Sequence, residues 1–325
     1  MSSLKLMPTS RIALSSGRLI PAIGFGTGTQ WFMRADDRNS LQRPLNPSTV
    51  EGIRKALKNG WDHIDAAEMY GTEPESGLVL SEHLDAQADR KEARERLYVT
   101  SKVFHSLKHG ISVQDAARDA LARLRLEYLD LWLIHAPFLP ESVDMKQIWR
   151  DMEKLVDDGT VRDIGVSNFR VSDLDTLLAS ARIKPVINQV EANPYLQQPE
   201  LKAFCDKNGI LVEAYSPLAP ITSAPGGPLD PLLEELAKKH QATPAQILLR
   251  WSLQSGYLPI TTTKSEQRMH EFRAAAALPA QEFATGPSAP GSLALTKEEV
   301  DRISTVGSQL HVRKFWQKEF EQPSS

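Results

Sequence analysis

Leu129-Asp130-Leu131-Trp132-Leu133-Ile134-His135 is apolar from Leu131 to Ile134 with no polar alternation, and it stops on a histidine. A short run buried on both faces is the pattern of a strand inside a parallel sheet. The same form recurs outward in both directions. Upstream, residues 97–103 carry Lys102 near their end, and 63–65 end on Asp65. Downstream, 161–167 end on Ser167, and 186–191, 211–215 and 258–262 follow; 20–25 is the first of the set. Helical segments fall between them. Residues 49–58 start after Pro47-Ser48 and stop at Asn59-Gly60, a cap and a stop signal. Residues 113–124 set Ala116, Ala117, Ala120, Leu121 and Leu124 on one face, and 145–156 end at Asp158-Gly159. Residues 174–181, 200–207 and 244–253 repeat the pattern, with an additional helix at 230–240. Eight strands with intervening helices predict an α/β (β/α)8 barrel over residues 1–325 as one domain. A doubly wound sheet is the alternative.

Four stretches fall outside the repeat. Residues 11–14 and 18–21, joined by Ser15-Ser16-Gly17, read as an N-terminal hairpin within 10–22. Residues 29–47 are long, polar and irregular, where a loop over the barrel mouth belongs. Residues 284–292, rich in Gly, Pro and Ser, read as an exposed loop, and 307–325 as a C-terminal tail. The chain has 325 residues, 41% hydrophobic and 24% charged, an ordinary globular balance. A net charge of −3 gives no field for nucleic acid or an anionic membrane. No apolar stretch approaches the ~20 residues that span a bilayer, and residues 1–10 lack the apolar centre of a secretion signal. The single cysteine, Cys205, excludes an internal disulfide framework and reads as a packing residue. A cytoplasmic location follows as the expectation.

The chemistry sits at strand ends. Gly60-Trp61-Asp62-His63-Ile64-Asp65-Ala66-Ala67-Glu68-Met69-Tyr70-Gly71-Thr72-Glu73 holds a carboxylate and a phenol five residues apart. A phenol has pKa ~10, and a lysine ammonium beside it, itself held by a carboxylate, lowers that value. Asp65, Tyr70, Lys102 and His135 together read as a device for protonating a carbonyl oxygen. For Asp65 and Lys102 alone, a partly buried ion pair is the competing reading. In a parallel barrel, active residues collect at the C-terminal ends of strands. Asp65, Lys102, His135, Ser167, Asn168, Gln189, Glu191, Tyr215 and Lys264 all fall at or just past such ends.

With these motifs in place, the chain resembles the aldo-keto reductases over nearly its whole length. Gly60 to Glu73 matches that family's first signature, and Gly159-Thr160-Val161-Arg162-Asp163-Ile164-Gly165-Val166-Ser167-Asn168-Phe169 its second. Asn188-Gln189-Val190-Glu191 and Tyr215-Ser216-Pro217-Leu218 match its cofactor-contact motifs. The resemblance implies that Tyr70 is the general acid, that Lys102 paired with Asp65 lowers the Tyr70 pKa, and that His135 orients the carbonyl. It implies a nicotinamide hydride donor. Ser167, Asn168 and Gln189 would hydrogen-bond the carboxamide, Tyr215 would stack on the ring, and Ser216 and Leu218 would serve the pyrophosphate. Thr27, at the end of the first strand, is a further cofactor candidate. An ordinary barrel aromatic is the other reading of Tyr215.

Two departures from the family pattern stand out. Thr262-Thr263-Lys264-Ser265-Glu266-Gln267-Arg268 brings Arg268 four residues after Lys264, and Phe272 replaces the usual asparagine. Lys264, Ser265 and Arg268 near a helix N-terminus suit a 2′-phosphate, which favours NADPH/NADP+; a solvated Lys/Arg pair is the alternative. This form resembles the fungal branch that reduces α-dicarbonyls, ketopantoyl lactone and α-keto amides. After His135 comes Ala136-Pro137 in place of Trp-Pro, which widens the pocket. Trp31, Phe32 and Phe138 are the candidates for its wall, or simple loop packing. The tail from His311 to Phe320, with Phe315 and Trp316, either folds over the opening or docks outside.

Two decoys and the metal sites fail on context. Gly24-Phe25-Gly26-Thr27-Gly28 opens no helix, as a Rossmann glycine run would. Tyr98 to Lys102 has the spacing of a short-chain dehydrogenase pair but lies in a β-branched segment. No histidine spacing suggests a metal. The expected function is NADPH-dependent reduction of an aldehyde or ketone, a small activated carbonyl such as an α-dicarbonyl, with a small carbonyl substrate as the only partner. A monomer is expected, with a dimer as the alternative. An NAD(P)-dependent sugar or polyol dehydrogenase, or a cofactor-binding regulatory or sensor protein, are the competing functions.

Overall fold

The structure is a computed structural model that describes residues 10–33, 39–277 and 293–321. An antiparallel hairpin, β1 (Arg11–Ala13) and β2 (Leu19–Pro21), precedes a closed parallel barrel. The barrel strands are β3 (Gly24–Gly26), β4 (His63–Asp65), β5 (Tyr98–Val103), β6 (Leu129–Ile134), β7 (Val161–Ser167), β8 (Ile187–Glu191), β9 (Leu211–Tyr215) and β10 (Tyr257–Thr261). They pair in sequence order, and β10 returns to β3 through Ile260 opposite Gly24. The helices are α1 (Pro47–Lys58), α2 (Glu73–Asp85), α3 (Arg90–Arg96), α4 (His105–Lys108), α5 (Val113–Leu124), α6 (Met145–Asp157) and α7 (Val171–Leu178). After them come α8 (Pro199–Asn208), α9 (Ala219–Thr222), α10 (Asp230–Lys239), α11 (Pro244–Gln254), α12 (Glu266–Ala275), α13 (Lys297–Gly307) and α14 (Gln317–Glu321). The (β/α)8 barrel expected from the alternation is the fold observed.

The apolar run at 20–25 is not one strand. Leu19–Pro21 belongs to the hairpin and Gly24–Gly26 to the barrel. A bend at Ala22 and Ile23, both buried, divides them; the continuous apolar run hides it. In β3, Gly24 lets the neighbouring side chains close in. A Cβ there would lie 2.3 Å from the Ile260 side chain and 2.8 Å from the His63 ring. The hairpin covers the N-terminal end of the barrel: Arg11 donates to the carbonyl of Arg96, just before β5, and Arg18 lies 3.8 Å from Asp163 in β7.

Buried strands and one-sided helices make the core. Each residue of β6 is buried, and Trp132 is fully enclosed. Helix α6 turns Ile148, Trp149, Met152 and Leu155 toward β7, the 3- and 4-residue spacing of one helical face. Asn46 caps α1, Asp144 caps α6 and Thr243 caps α11, each through a side-chain oxygen on early helical N–H groups. Helices α2, α3 and α13 have no counterpart in the segments read from periodicity. The Gly/Pro/Ser-rich stretch 284–292 lies outside the described residues, as do residues 34–38 of the mouth loop. Cys205 is buried in α8, and burial pushes its thiol up to about 12.

Candidate active site

Strand β4 ends on Asp65, and the chain then makes a single 3-10 turn, Glu68–Tyr70. Gly71 closes this turn with φ of 70°, a left-handed conformation that suits glycine. The turn aims Tyr70 back over the barrel mouth. Gly28 makes room: a Cβ there would come within 2.9 Å of the Tyr70 ring. Glu68 holds the turn to the next strand's end, because its carboxylate accepts the N–H of Phe104 at 3.0 Å and the N–H and hydroxyl of Ser106.

Lys102, wholly buried on β5, ties the group together. Its Nζ donates to Asp65 Oδ1 at 2.7 Å, to the Ala66 carbonyl at 3.0 Å and to Tyr70 Oη at 3.3 Å. An ammonium has three protons, so all are committed. His135 follows β6, and its ring stands edge-on to Tyr70 with centroids 5.4 Å apart. Asn168 Nδ2 holds the His135 carbonyl at 2.9 Å. Burial, then the Lys102 charge, pushes the imidazole well below its usual range. His135 is therefore neutral near pH 7, and its buried Nδ1 has no hydrogen-bond partner among the described residues.

The expectation for Tyr70 needs a correction. Lys102 does act to lower the phenol pKa, but burial acts against it more strongly and Asp65 adds to burial, so the net direction is upward from 10.0. The consequence favours proton donation: Tyr70 carries its proton at neutral pH. Lys102 itself is shifted upward: burial disfavours its charge, and Asp65 and Tyr70 together outweigh burial.

The remaining predicted residues divide. Ser167 Oγ donates to the Gln189 carbonyl at 2.7 Å, Asn168 Nδ2 to Ser167 Oγ at 3.0 Å, and the Tyr215 hydroxyl to Asn168 Oδ1 at 2.8 Å. These four stand together at the ends of β7, β8 and β9. The Gln189 amide nitrogen faces inward, to Asp65 Oδ2 and Glu213 Oε2, both at 2.8 Å. Thr27 is buried, with its hydroxyl on the Asp65 carbonyl and Thr72, so it braces β4. Ser216 adopts φ of 55° and Leu218 precedes α9. Ser265 caps α12 by accepting the Arg268 N–H, and the Lys264 and Arg268 side chains are exposed beside it. No carboxylate among the described residues pairs with either cation.

On the substrate side, Phe32 is 40% exposed with its ring 6.4 Å from Tyr70. Trp31 does not line the mouth: it is 4% exposed, packed on Phe25 and on Gly52 of α1, where a Cβ would meet it at 2.3 Å. It fills the gap between β3 and α1. The C-terminal tail does fold over the opening. Trp316 packs edge-on against Phe104 and His135, at 5.5 and 6.4 Å between centroids, and tilted against Phe138 at 5.3 Å, and Phe315 lies against Tyr215. Glu191, at the end of β8, anchors this strap by accepting the N–H groups of Lys314 and Phe315 at 3.0 Å. Sequence reading missed Phe104, Glu213 and the anchoring role of Glu191. Glu191 at a strand end was the only available signal.

Comparison with known proteins agrees with this geometry. The model of the family described as "Aldo/keto reductase family" matches residues 22–286. An NADPH-dependent alpha-keto amide reductase from Saccharomyces cerevisiae is 37% identical over 317 residues, 94% of this chain and 93% of the relative. An NAD/NADP-dependent indole-3-acetaldehyde reductase from Schizosaccharomyces pombe is 34% identical over 303 residues, 92% and 96% of the two chains. The crystal structure of a Bombyx mori aldo-keto reductase in complex with NADP superposes with a TM-score of 0.76 at 30% identity, covering 92% of this chain and 93% of that one.

Proposed function

The chain belongs to the aldo/keto reductase family, and on that premise we propose that it reduces an aldehyde or an activated ketone to the alcohol with NADPH, using Tyr70 as the acid. The observation that carries this reading is Lys102 Nζ between Asp65 Oδ1 and Tyr70 Oη, with a neutral His135 against the phenol. When bound, NADPH supplies the hydride.

The residues present suit that cofactor. Lys264 and Arg268 offer two cations with no carboxylate partner among the described residues where α12 begins, a combination that takes a phosphate. Ser167, Asn168 and Tyr215 present a polar shelf and a ring beside Tyr70. Lys264 and Arg268 would hold the 2′-phosphate, Ser216 and Leu218 the pyrophosphate, and Asn168, Gln189 and Tyr215 the nicotinamide.

The protein's own part follows from its charges. A protonated Tyr70 hydroxyl donates to the carbonyl oxygen, and Lys102 stabilises the phenolate left behind. Asp65 keeps the Lys102 ammonium charged in a site where burial disfavours it. His135, uncharged, hydrogen-bonds the carbonyl and fixes its direction without competing as an acid. Trp316, Phe104 and Phe138 keep water from the reacting atoms and offer an apolar wall, while Ala136 leaves space beyond His135. This favours small activated carbonyls, such as α-dicarbonyls and α-keto amides, that carry an apolar group. With one cysteine and no disulfide framework, the cytosol is the location that fits.

Tyr70→Phe is the test. It removes the proton and leaves Lys102 its bonds to Asp65 and Ala66. The expected loss in kcat is about 10²- to 10⁴-fold, with NADPH affinity kept, read as NADPH oxidation with an α-dicarbonyl panel. A variant that keeps wild-type turnover overturns the assignment. Tight NADPH binding by the wild type with no turnover on any carbonyl points to the sensor reading instead.

A further inference from the structure

Below the Tyr70–Lys102 contact, inside the barrel, lies a carboxyl group that has no ion-pair partner among the described residues, although the Lys102 charge is felt there. Glu213 on β9 is fully buried. Its Oε2 accepts from Gln189 Nε2 at 2.8 Å, and the second hydrogen of the same nitrogen goes to Asp65 Oδ2 at 2.8 Å. Its Oε1 is buried with no hydrogen-bond partner among the described residues. One amide thus spans two carboxyl groups, and among the described residues the only ammonium beside them is Lys102. All three Lys102 protons are already used, on Asp65, Ala66 and Tyr70.

The other groups around Glu213 bring no compensating charge. On β4, His63 is held to about 3 by burial and is neutral. On β5, the Tyr98 phenol is raised well above its usual range, first by burial and then by Asp163 and Glu213. Asp163 on β7 has its own cation, Arg18, at 3.8 Å at the far end of the barrel. On β10, the residue paired with Glu213 is Leu258. Two buried carboxyls with one committed ammonium cannot both be charged without stranding a charge in the core. Asp65 has the ammonium, so the proton belongs on Glu213.

We propose that Glu213 is a neutral carboxylic acid during turnover, a positioning residue that fixes Asp65 through Gln189, and that its ionisation sets the alkaline limit of carbonyl reduction. The proposal rests on the reading of Tyr70 as the acid. Burial, with Asp65 adding to it, raises the Glu213 pKa to about 8. Below that value the interior holds one negative charge, Asp65, against Lys102. Above it a second negative charge appears near Tyr70 and raises the phenol pKa further, which makes proton donation harder.

The test uses full-length wild type and Glu213→Gln, whose amide copies the shape of the neutral acid. Wild-type kcat/KM with NADPH and an α-dicarbonyl is expected to fall to about a tenth of its plateau one pH unit above the Glu213 pKa. Relative to its own plateau at neutral pH, Glu213→Gln is expected to lack that fall. If it stays folded and binds NADPH but its profile falls in alkali as the wild type's does, the proposal is overturned. An infrared titration reads the same proton without turnover. The wild type should show a protonated carboxylic acid band at pH 7 that disappears in alkali and is missing from Glu213→Gln. Absence of the band in the wild type refutes the proposal even if the variant does not fold. A wild type with the band and no carbonyl turnover refutes the assigned function and leaves the proton on Glu213.

Discussion

Replacing Lys102 by Met isolates what the buried ion pair does for the fold. The Lys102 side chain is fully enclosed and that of Asp65 is 2% exposed, so water cannot take over for a missing partner. Methionine keeps the apolar stem and removes the charge. It leaves the Asp65 carboxylate with the Gln189 amide as its remaining side-chain donor. Breaking a buried pair from one side costs about 3–5 kcal/mol, because the surviving charge is uncompensated. Adding Asp65→Asn removes that charge. The double variant should therefore recover about 2 kcal/mol or more, outside the few tenths expected of independent sites. Urea unfolding at pH 7 of wild type, both single variants and the double variant gives the cycle. Both variants carrying Lys102→Met should be catalytically poor, so stability and activity separate. If Lys102→Met and the double variant are equally unstable, the loss comes from packing around the stem, and the unpaired-charge argument is wrong.

Two further outcomes follow from groups at the mouth. Lys264→Ala should weaken NADPH binding by about tenfold, the order of one charged hydrogen bond, and leave NADH unchanged in a fluorescence titration; equal losses would remove Lys264 from the 2′-phosphate. Glu191→Ala frees two backbone N–H groups of the strap, each hydrogen bond to the carboxylate being worth about 1.5–3 kcal/mol. KM for the carbonyl should rise, kcat/KM should fall more than kcat, and the bond after Lys314 should become sensitive to trypsin; unchanged KM and unchanged proteolysis would show that the strap holds without Glu191.

The barrel was legible because its strands are unusual locally. Runs such as Leu131 to Ile134 are buried on both faces, so they read without knowledge of their neighbours. The candidate site residues were legible for a related reason: a charged side chain where an apolar strand stops has few structural uses. Helix α2 was not legible. Its first half buries Glu73, Glu75 and Ser76, with Glu73 on Arg123 and Ser101 and Glu75 on Arg43. Polar groups matched by partners 28 to 50 residues away erase the apolar period that marks a helix. Trp31 was misread for the converse reason. An aromatic in a polar loop suggests a pocket wall, but the partner that buries it is the absence of a side chain at Gly52.

Glu191 and Glu213 show why the site itself was only partly readable. Both are glutamates of barrel strands, Glu191 at the end of β8 and Glu213 in the middle of β9, and sequence spacing marks only the first. The strap distinguishes Glu191: backbone N–H groups more than a hundred residues later supply its donors. Burial raises its pKa as it does that of Glu213, but the N–H groups of Phe315 and Lys314 act against that rise. Glu213 receives one amide and faces Asp65. One carboxyl is thereby made an acceptor for the lid and the other a place to keep a proton. What separates them is the inventory of donors around each, and that inventory exists only after the barrel has closed. A site built on strand ends can announce its charged groups in sequence. Which of those groups is charged is decided by the count of cations beside them, which among the described residues is Lys102 against Asp65 and Glu213.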